Sequence, residues 1–486
     1  GKQMILRELI DGLSVIDIKG NTNIEVKGIT KDSRRTKEGF MFFSTDKSEK
    51  YVKDAVLRGA IAVVTDSDIP MNTQCSIVAK DIKGMLGKVA SRFYGSPSKG
   101  LVVIGITGTN GKTTTSYLIE SILISSGKNT GLIGTISHKY DGRTLKAENT
   151  TPGAEELQCL LRDMLSAKTE YVVMEVSSHA LDQKRVEDIH FDTAILTNMT
   201  HDHLDYHKSF ERYREAKRLL FKNYLQNSLK QNRYAILNMD EPFVTEFIPD
   251  EPINTLYYSL SKNTNAYLVD CVEDINGLQL TCSVMGETFS VKTPMIGIFN
   301  ASNILAASLF GYTAKISKEF IISGIERLSG VPGRLERVKN NKGINVFVDY
   351  AHTPDALKNV LETLNRLKPR RLIIVFGCGG DRDKAKRPIM GNIASRFADF
   401  SIITTDNPRS EAPPDIIDQI TNGFQGNHFK VVENRKEAIF EGLRISREND
   451  VLLVAGKGHE DYQIIGQEVF HFSDKEVIEE FIDVAD

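Results

Sequence analysis

Five cysteines, Cys75, Cys159, Cys271, Cys282 and Cys378, are scattered through 486 residues, and no two form a C-x-x-C pair. That suggests neither a disulfide framework nor a zinc site, and it fits a reducing cytosol. No apolar run approaches the roughly 18 residues that a membrane helix needs. The start, Gly1-Lys2-Gln3-Met4, lacks the apolar core of a signal peptide, and Met4 can serve as a native start. The expectation is therefore a cytoplasmic protein without membrane insertion. Charge of one sign is lacking too: 61 basic against 64 acidic residues leave a net charge of −3. Such a balance gives no basis for a nucleic acid or an anionic membrane as partner. What is present is apolar side chain, 41% of residues, enough for several cores. The length suggests roughly three domains of about 150 residues each.

Organisation along the chain supports that division. Residues 4–13 read as a helix, 24–29 as an extended stretch, 56–59 as a helix end and 60–65 as a buried strand. Tyr94-Gly95-Ser96-Pro97-Ser98 has linker chemistry. The apolar run 101–106 has strand length and suits a strand buried on both faces of a parallel sheet. A helical pattern follows at 113–126, and 171–176 and 193–197 repeat the strand theme. Gly330-Val331-Pro332-Gly333 punctuates again. Strands then recur at 344–348, 372–376, 400–404 and 451–455, with helices between them. The expectation is an α/β protein of three domains. Residues 1–98 form a small N-terminal α/β domain, 99–332 a central domain with a mostly parallel sheet, and 333–486 a Rossmann-like C-terminal domain.

The sharpest signal is Gly108-Thr109-Asn110-Gly111-Lys112-Thr113-Thr114, which follows a buried strand and opens a helix. Unpaired N–H groups and the helix dipole favour an anion at a helix start, and glycines let the backbone wrap it. Lys112 would reach the outer phosphates of ATP, and Thr113 would offer its hydroxyl to Mg²⁺. The general G-x-x-x-x-G-K-[ST] pattern wants glycine five places before Gly111, but Ile106 stands there. An ordinary glycine turn is the bland alternative; strand, G-K-T and helix together argue against it.

The G-T-N-G-K-T-T variant resembles the Mur ligase family, the ATP-dependent amide-forming enzymes of peptidoglycan synthesis, and the likeness continues almost end to end. Glu175 closes an apolar strand, where α/β sheets place ligands, and Thr113 and Glu175 are oxygen donors suited to Mg²⁺. His203 by itself reads equally as a polar loop residue, and Lys217, on a helical pattern, as a solvated cation. The resemblance implies more: Lys217 as the lysine that CO₂ converts to a carbamate, with Glu175 and His203 as further metal ligands. Asn300 and Asn303, ahead of an Ala/Leu-rich helix, offer amides suited to an adenine edge or simply to capping. Arg334 resembles the family's γ-phosphate arginine. Asp349, in the Asp349-Tyr350-Ala351-His352 segment, resembles its ribose-binding aspartate, and His352 goes with the same ATP site.

The branch of the family acting on a UDP-N-acetylmuramoyl dipeptide is similar at Ser33, Asn149, Thr150, Thr151, Ser177, Gln183 and Arg185. Any one of these hydroxyls alone reads as a turn former. One departure stands in the stretch 40–50, Phe40-Met41-Phe42-Phe43-Ser44-Thr45-Asp46-Lys47-Ser48-Glu49-Lys50, where the family's loop histidine is absent. Three strand-following segments bring Arg382, then Asp406-Asn407-Pro408-Arg409, then Gly456 and Glu460. Guanidinium forks suit carboxylates and acidic side chains suit ammonium groups, so these predict a site for a zwitterion. Surface salt bridges are the alternative for any single charge. In the family D-N-P-R marks enzymes that add meso-diaminopimelate.

The resemblance thus implies ATP-driven ligation of meso-diaminopimelate to UDP-N-acetylmuramoyl-L-alanyl-D-glutamate through an acyl phosphate. Lys112, Lys217, His203, Glu175 and Arg334 would be the catalytic set. It also implies small-molecule partners, a monomer, and roles in cell-wall growth, cell shape, cell cycle and division. A folylpolyglutamate-type ligase, a P-loop transport or motor ATPase, a silent binding protein of the same fold, and a divergent paralogue with another amino acid or UDP-sugar peptide are the competing readings.

Overall fold

The structure is a computed structural model, and it describes residues 4–199 and 209–481. It divides into two compact units. The first holds residues 1–268, 283–288 and 302–324; the second holds 269–282, 289–301 and 325–486.

The first unit begins with a five-stranded sheet. Its strands are β1 (Asp17–Gly20), β2 (Gly28–Thr30), β3 (Phe40–Phe43), β4 (Ala62–Thr65) and β5 (Cys75–Val78), ordered β1-β5-β4-β3-β2. β2 to β5 pair in parallel and β1 runs antiparallel at the edge. The helix Ile82–Phe93 is capped by Asp81, whose carboxylate accepts from Gly84 N at 3.0 Å. Its Ile82, Met85, Leu86 and Val89 recur at helical spacing and meet Met41, Phe43, Val64 and Ile77 in one core. The helix expected over 4–13 is only Leu6–Ile10, because the chain turns at Gly12 (φ +71°). The 60–65 strand starts at Ala62. Within 94–98, Pro97 opens a 3₁₀ turn, Pro97–Gly100.

A larger sheet follows, built on β6 (Val102–Thr107), β7 (Thr130–Ile133), β8 (Ser137–Tyr140), β9 (Arg143–Lys146), β10 (Tyr171–Glu175), β11 (Thr193–Leu196), β12 (Tyr234–Asn238) and β13 (Asn254–Ser259). Their order is β13-β12-β11-β6-β10-β7-β8-β9, parallel as far as β7 and antiparallel beyond it. β6 is therefore central, with β10 and β11 on its two sides. Its apolar run is buried, as a strand covered on both faces should be. Val103, Met174, Leu196, Phe191, Tyr213 and Phe221 share the core beneath it. Three further strands, β14 (Ala266–Asp274), β15 (Gly277–Val284) and β16 (Glu287–Thr293), carry residues of both units. β16 alternates buried and exposed positions, β15 is mostly buried and β14 has one buried position; none shows a long apolar run.

The second unit contains a six-stranded sheet of β17 (Glu336–Arg337), β18 (Asn345–Asp349), β19 (Leu372–Phe376), β20 (Phe400–Ile403), β21 (Phe429–Val431) and β22 (Val451–Ala455). The order is β17-β18-β22-β19-β20-β21, all parallel except β17. Alternate residues serve opposite faces. Phe347, Ile374 and Leu453 pack on Leu357, Leu361 and Leu364; Val348, Val375 and Val454 pack on Ala438, Ile439 and Leu443. A hairpin, β23 (Tyr462–Ile465) and β24 (Glu468–His471), follows. The loops at the C-terminal ends of β18, β19, β20 and β22 all leave one edge, where open parallel sheets bind ligands.

Candidate active site

The glycine loop joins β6 to the helix Lys112–Ser125. Two residues after β11 hold it. Thr109 N donates to Asn198 O at 2.9 Å, Asn110 N to Asn198 Oδ1 at 2.8 Å, and Thr197 Oγ1 to Asn110 O at 2.7 Å. Gly108, at φ +149°, passes so close to Thr197 that a Cβ there would lie 1.8 Å from its Oγ1. Lys112 Nζ folds back onto Gly108 O at 2.7 Å and Thr109 O at 3.3 Å. Thr114 is buried on the same first turn. Neither Thr197 nor Asn198 stood out in the sequence; single polar residues after a strand carry no periodic signal.

The register that sets Glu175 opposite Ile106 brings the β10 carboxylate beside this loop. Glu175, 1% exposed, accepts from Thr113 Oγ1 at 2.6 Å, Thr135 N at 2.8 Å and Thr135 Oγ1 at 3.1 Å. Thr135, also unforeseen, touches Thr150 Oγ1 at 3.0 Å. Thr151 Oγ1 donates to Glu175 O at 2.9 Å and accepts from Ser177 N at 3.2 Å. Ser177 caps a short helix through Ala180 N at 3.1 Å. Arg185 reaches Thr151 O at 3.0 Å and Gln183 Oε1 at 2.8 Å. One network thus gathers Thr113, Glu175, Thr150, Thr151, Ser177, Gln183 and Arg185.

Lys217 is 1% exposed, so the solvated-helix reading fails. Its ammonium lies 4.6 Å from the centre of the Tyr213 ring, and the Tyr213 hydroxyl sits 2.8 Å from Thr109 Oγ1. His203 lies outside the described residues. Ser33 is buried in a 3₁₀ turn, and its hydroxyl helps hold the Asp54 carboxyl below its ordinary range. The last residue of that turn, Arg35, pairs with Glu156 at 2.6 Å. Both line a cavity of about 250 Å³ together with His138, Lys146, Asn149 and Pro152.

In the second unit, Asp349 ends β18. Its two oxygens accept from Leu335 N and Ala351 N, each at 2.8 Å, and burial pushes its carboxyl up against the pull of Arg334. The Arg334 guanidinium lies 5.1 Å from the Tyr350 ring centre. His352 contacts Tyr350 O through Nδ1 at 2.9 Å. Asn300 donates to Ile296 O at 2.9 Å, a helix-start contact. In the first unit, Asn303 Oδ1 accepts from Thr115 Oγ1 at 3.2 Å, which places it against the loop-bearing helix.

The D-N-P-R loop follows β20. Arg409 Nη1 donates to Gly380 O at 3.0 Å, while Arg382 donates to Asp381 O at 3.0 Å and is otherwise exposed. The Asn407 side-chain carbonyl is already engaged by Lys457 Nζ at 2.8 Å and Ile464 N at 3.0 Å, so it braces the loop. Pro408 O lies so close to Gly380 that a Cβ there would meet it at 1.8 Å. Gly456 packs against Asp406, where a Cβ would meet Oδ2 at 2.6 Å. Glu460 accepts from Tyr462 OH at 2.7 Å, and burial pushes its carboxyl up. Lys457 is fully buried, and burial lowers its ammonium despite Asp406 at 3.6 Å. Lys457 and Tyr462 are further site residues that motif reading passed over.

A glycine-rich strand-to-helix loop in one parallel sheet and a cluster of charged strand-end loops in another stand where α/β enzymes bind their ligands. Residues 106–311 match the Mur ligase middle domain, and residues 333–458 match the Mur ligase glutamate ligase domain. The chain belongs to the Mur ligase family. It is 41% identical, over 99% of its length and 98% of the relative's, to the UDP-N-acetylmuramoyl-L-alanyl-D-glutamate--2,6-diaminopimelate ligase of Bacillus cereus. The enzyme of that name from Geobacter metallireducens is also 41% identical, over 98% of each chain. A solved structure bearing the same enzyme name superposes with a TM-score of 0.71 at 30% identity, covering 98% of each chain. No helix among the described residues is long and apolar enough to cross a membrane.

Proposed function

We propose that this protein is an ATP-dependent UDP-N-acetylmuramoyl-L-alanyl-D-glutamate–meso-diaminopimelate ligase of peptidoglycan precursor synthesis. The observation that carries the reading is the end-to-end likeness to diaminopimelate ligases, at 41% identity over 99% of the chain. Arg409 stands in the acidic and basic loop cluster of the second sheet, where a second carboxylate of the amino acid needs a fork-shaped donor. The division into 1–98, 99–332 and 333–486 assigns UDP-sugar, ATP and amino-acid binding in that order. The protein acts in the cytoplasm as a monomer, serving cell-wall growth and, through it, shape and division.

Thr113 and Glu175 offer buried oxygen donors 2.6 Å apart, a set that fits Mg²⁺. They would hold the ion together with His203 and a carbamate on Lys217, and the ion would supply neutralising charge at the transferred phosphoryl group. The acceptor's terminal carboxylate attacks the γ-phosphorus, the bond to the β–γ bridging oxygen breaks, and ADP leaves. Lys112 and Arg334 counter the charge that develops. Thr150, Thr151, Ser177, Gln183 and Arg185 orient the muramoyl dipeptide, with Ser33 at its uridine end and Asn149 beside the cavity. Asn300, Asn303, Asp349 and His352 bind the nucleoside. Arg382, Asp406, Arg409, Gly456 and Glu460 orient diaminopimelate. Its free amine attacks the acyl carbon, phosphate departs with the bonding pair, and the amine's proton is lost as the amide forms.

The test supplies ATP, UDP-N-acetylmuramoyl-L-alanyl-D-glutamate and meso-diaminopimelate, then follows phosphate release and product mass. The expected product is the tripeptide; a yield no greater than with L-lysine overturns the assignment.

A further inference from the structure

The loop that carries Arg409 is joined to the loop after β19 through an ion pair, Arg387–Glu411. Arg387, the second residue of the helix Lys386–Phe397, has no exposed surface. Its Nη1 donates to Glu411 Oε1 at 3.1 Å and to Gln419 Oε1 at 2.9 Å; its Nη2 donates to Glu411 Oε2 at 2.7 Å and to Gly379 O at 2.9 Å. Glu411 Oε2 in turn accepts from Asp381 N at 2.6 Å, and Glu411 N donates to Pro408 O at 3.0 Å. One guanidinium therefore closes on the loop after β19 and on the loop after β20 together. The two loops meet at Gly380 N–Asn407 O, 2.8 Å, and at Ser410 Oγ–Asp381 Oδ1, 2.5 Å. Arg409 emerges between them at φ +51°, its guanidinium resting on Gly380 O.

This arrangement costs desolvation of a full cation. Arg387 is fully buried while Glu411 keeps 17% of its side chain exposed, and removing both charges together leaves no buried cation uncompensated. What an apolar pair cannot do is hold Gly379 O and Asp381 N at fixed directions. A displacement of about 1 Å at a binding group is enough to cost large factors in productive binding.

We propose that Arg387 and Glu411 are positioning residues that fix the Gly379–Asp381 backbone under Arg409, and so set affinity and selectivity for an amino acid with a second carboxylate. The proposal rests on the diaminopimelate reading above.

Two variants test it, Glu411→Gln and the paired Arg387→Met/Glu411→Leu, each compared with wild type in steady-state assays and thermal melts. The paired variant removes both charges together, so no uncompensated buried charge is left, and the thermal melt reads its fold directly. The KM for meso-diaminopimelate should rise by about tenfold or more, and the preference over L-lysine should fall in step, while kcat and the KM for ATP stay within about twofold. A purely structural pair predicts that a paired variant melting like wild type binds diaminopimelate like wild type; that result overturns the proposal. An equal rise in the KM for ATP overturns it as well. Failure of the substrate reading looks different, because there the wild type itself makes no diaminopimelate product.

Discussion

Arg435 and Asp474 form an ion pair in the second unit that a change of one side-chain atom should break. Both side chains are fully buried. Arg435 Nε and Nη2 donate to Asp474 Oδ1 and Oδ2, each at 2.8 Å, while Nη1 reaches Thr405 O at 3.2 Å and Nη2 also reaches Ala455 O at 3.1 Å. Burial works against the Arg435 charge, and Asp474 outweighs it, leaving the group above its ordinary value. Asp474→Asn keeps the volume, so no cavity forms. It removes the compensating charge and turns an amide N–H₂ toward one guanidinium donor. Breaking such a pair costs about 3–5 kcal/mol. A body of roughly 150–250 residues loses about 2–4 °C of melting temperature per kcal/mol, so the transition should fall by about 6–20 °C. Differential scanning calorimetry of the whole chain reads this. Because Thr405 and Ala455 directly precede the Asp406 and Gly456 loops, the KM for the amino acid should rise in parallel. A fall of less than about 2 °C would refute the reasoning. So would a paired Arg435→Met/Asp474→Leu variant that melts below Asp474→Asn, since the desolvation argument requires partial recovery.

Gly111→Ala places a methyl group where φ is +87° and Asn303 Oδ1 lies 2.5 Å away. The left-handed backbone costs about 1–2 kcal/mol, so the loop should open and the KM for ATP rise severalfold with the KM for the amino acid unchanged. Unaltered ATP binding would remove this loop from the phosphate site. His459 is held down to about 4 by burial and by Arg334. The unfolded chain takes up its proton nearer the ordinary value of 6.5, so between pH 6.5 and 4 the unfolded state binds more protons. Stability is therefore complete above that window and falls as the pH drops through it. His459→Gln should flatten this part of a denaturant-midpoint profile taken against pH; superimposable profiles would contradict the placement.

The central strands were legible because burial on both faces forces an apolar run. β6, β10, β19 and β22 sit within a residue of where their runs predict. The strands that escaped lack that signature. β9 is exposed at every position, and β14 is a chain of polar and apolar residues with one buried position. The Leu6–Ile10 helix was overextended because Leu13 continues its apolar spacing although Gly12 has already turned the chain. At the candidate site, residues on motifs can be read from sequence and residues that brace motifs cannot. Glu175 ends a strand, and strand ends can be read from sequence. Thr135 and Asn198 act through single hydrogen bonds that leave no pattern in the chain.

Charged bracing residues are the hardest to read, and the second unit shows why. Arg387, Arg435 and Lys457 each look like surface cations: two near helix starts and one in a glycine turn. Each has no exposed side chain, and each is tied to an acid, Glu411, Asp474 and Asp406 respectively. Each also spends hydrogen bonds on the carbonyl oxygens or amide of a loop, Gly379, Thr405, Ala455, Tyr462 and Asn407. A carbonyl points where its backbone points, so a buried fork that grips two of them fixes loop geometry in a way apolar packing cannot. The same desolvation that makes these cations costly weakens water's competition for their hydrogen bonds. The exposed Arg382 and the loop-borne Arg409 therefore stand on a layer of neutralised buried charge. The selectivity expected of Arg409 then depends as much on that layer as on the arginine itself.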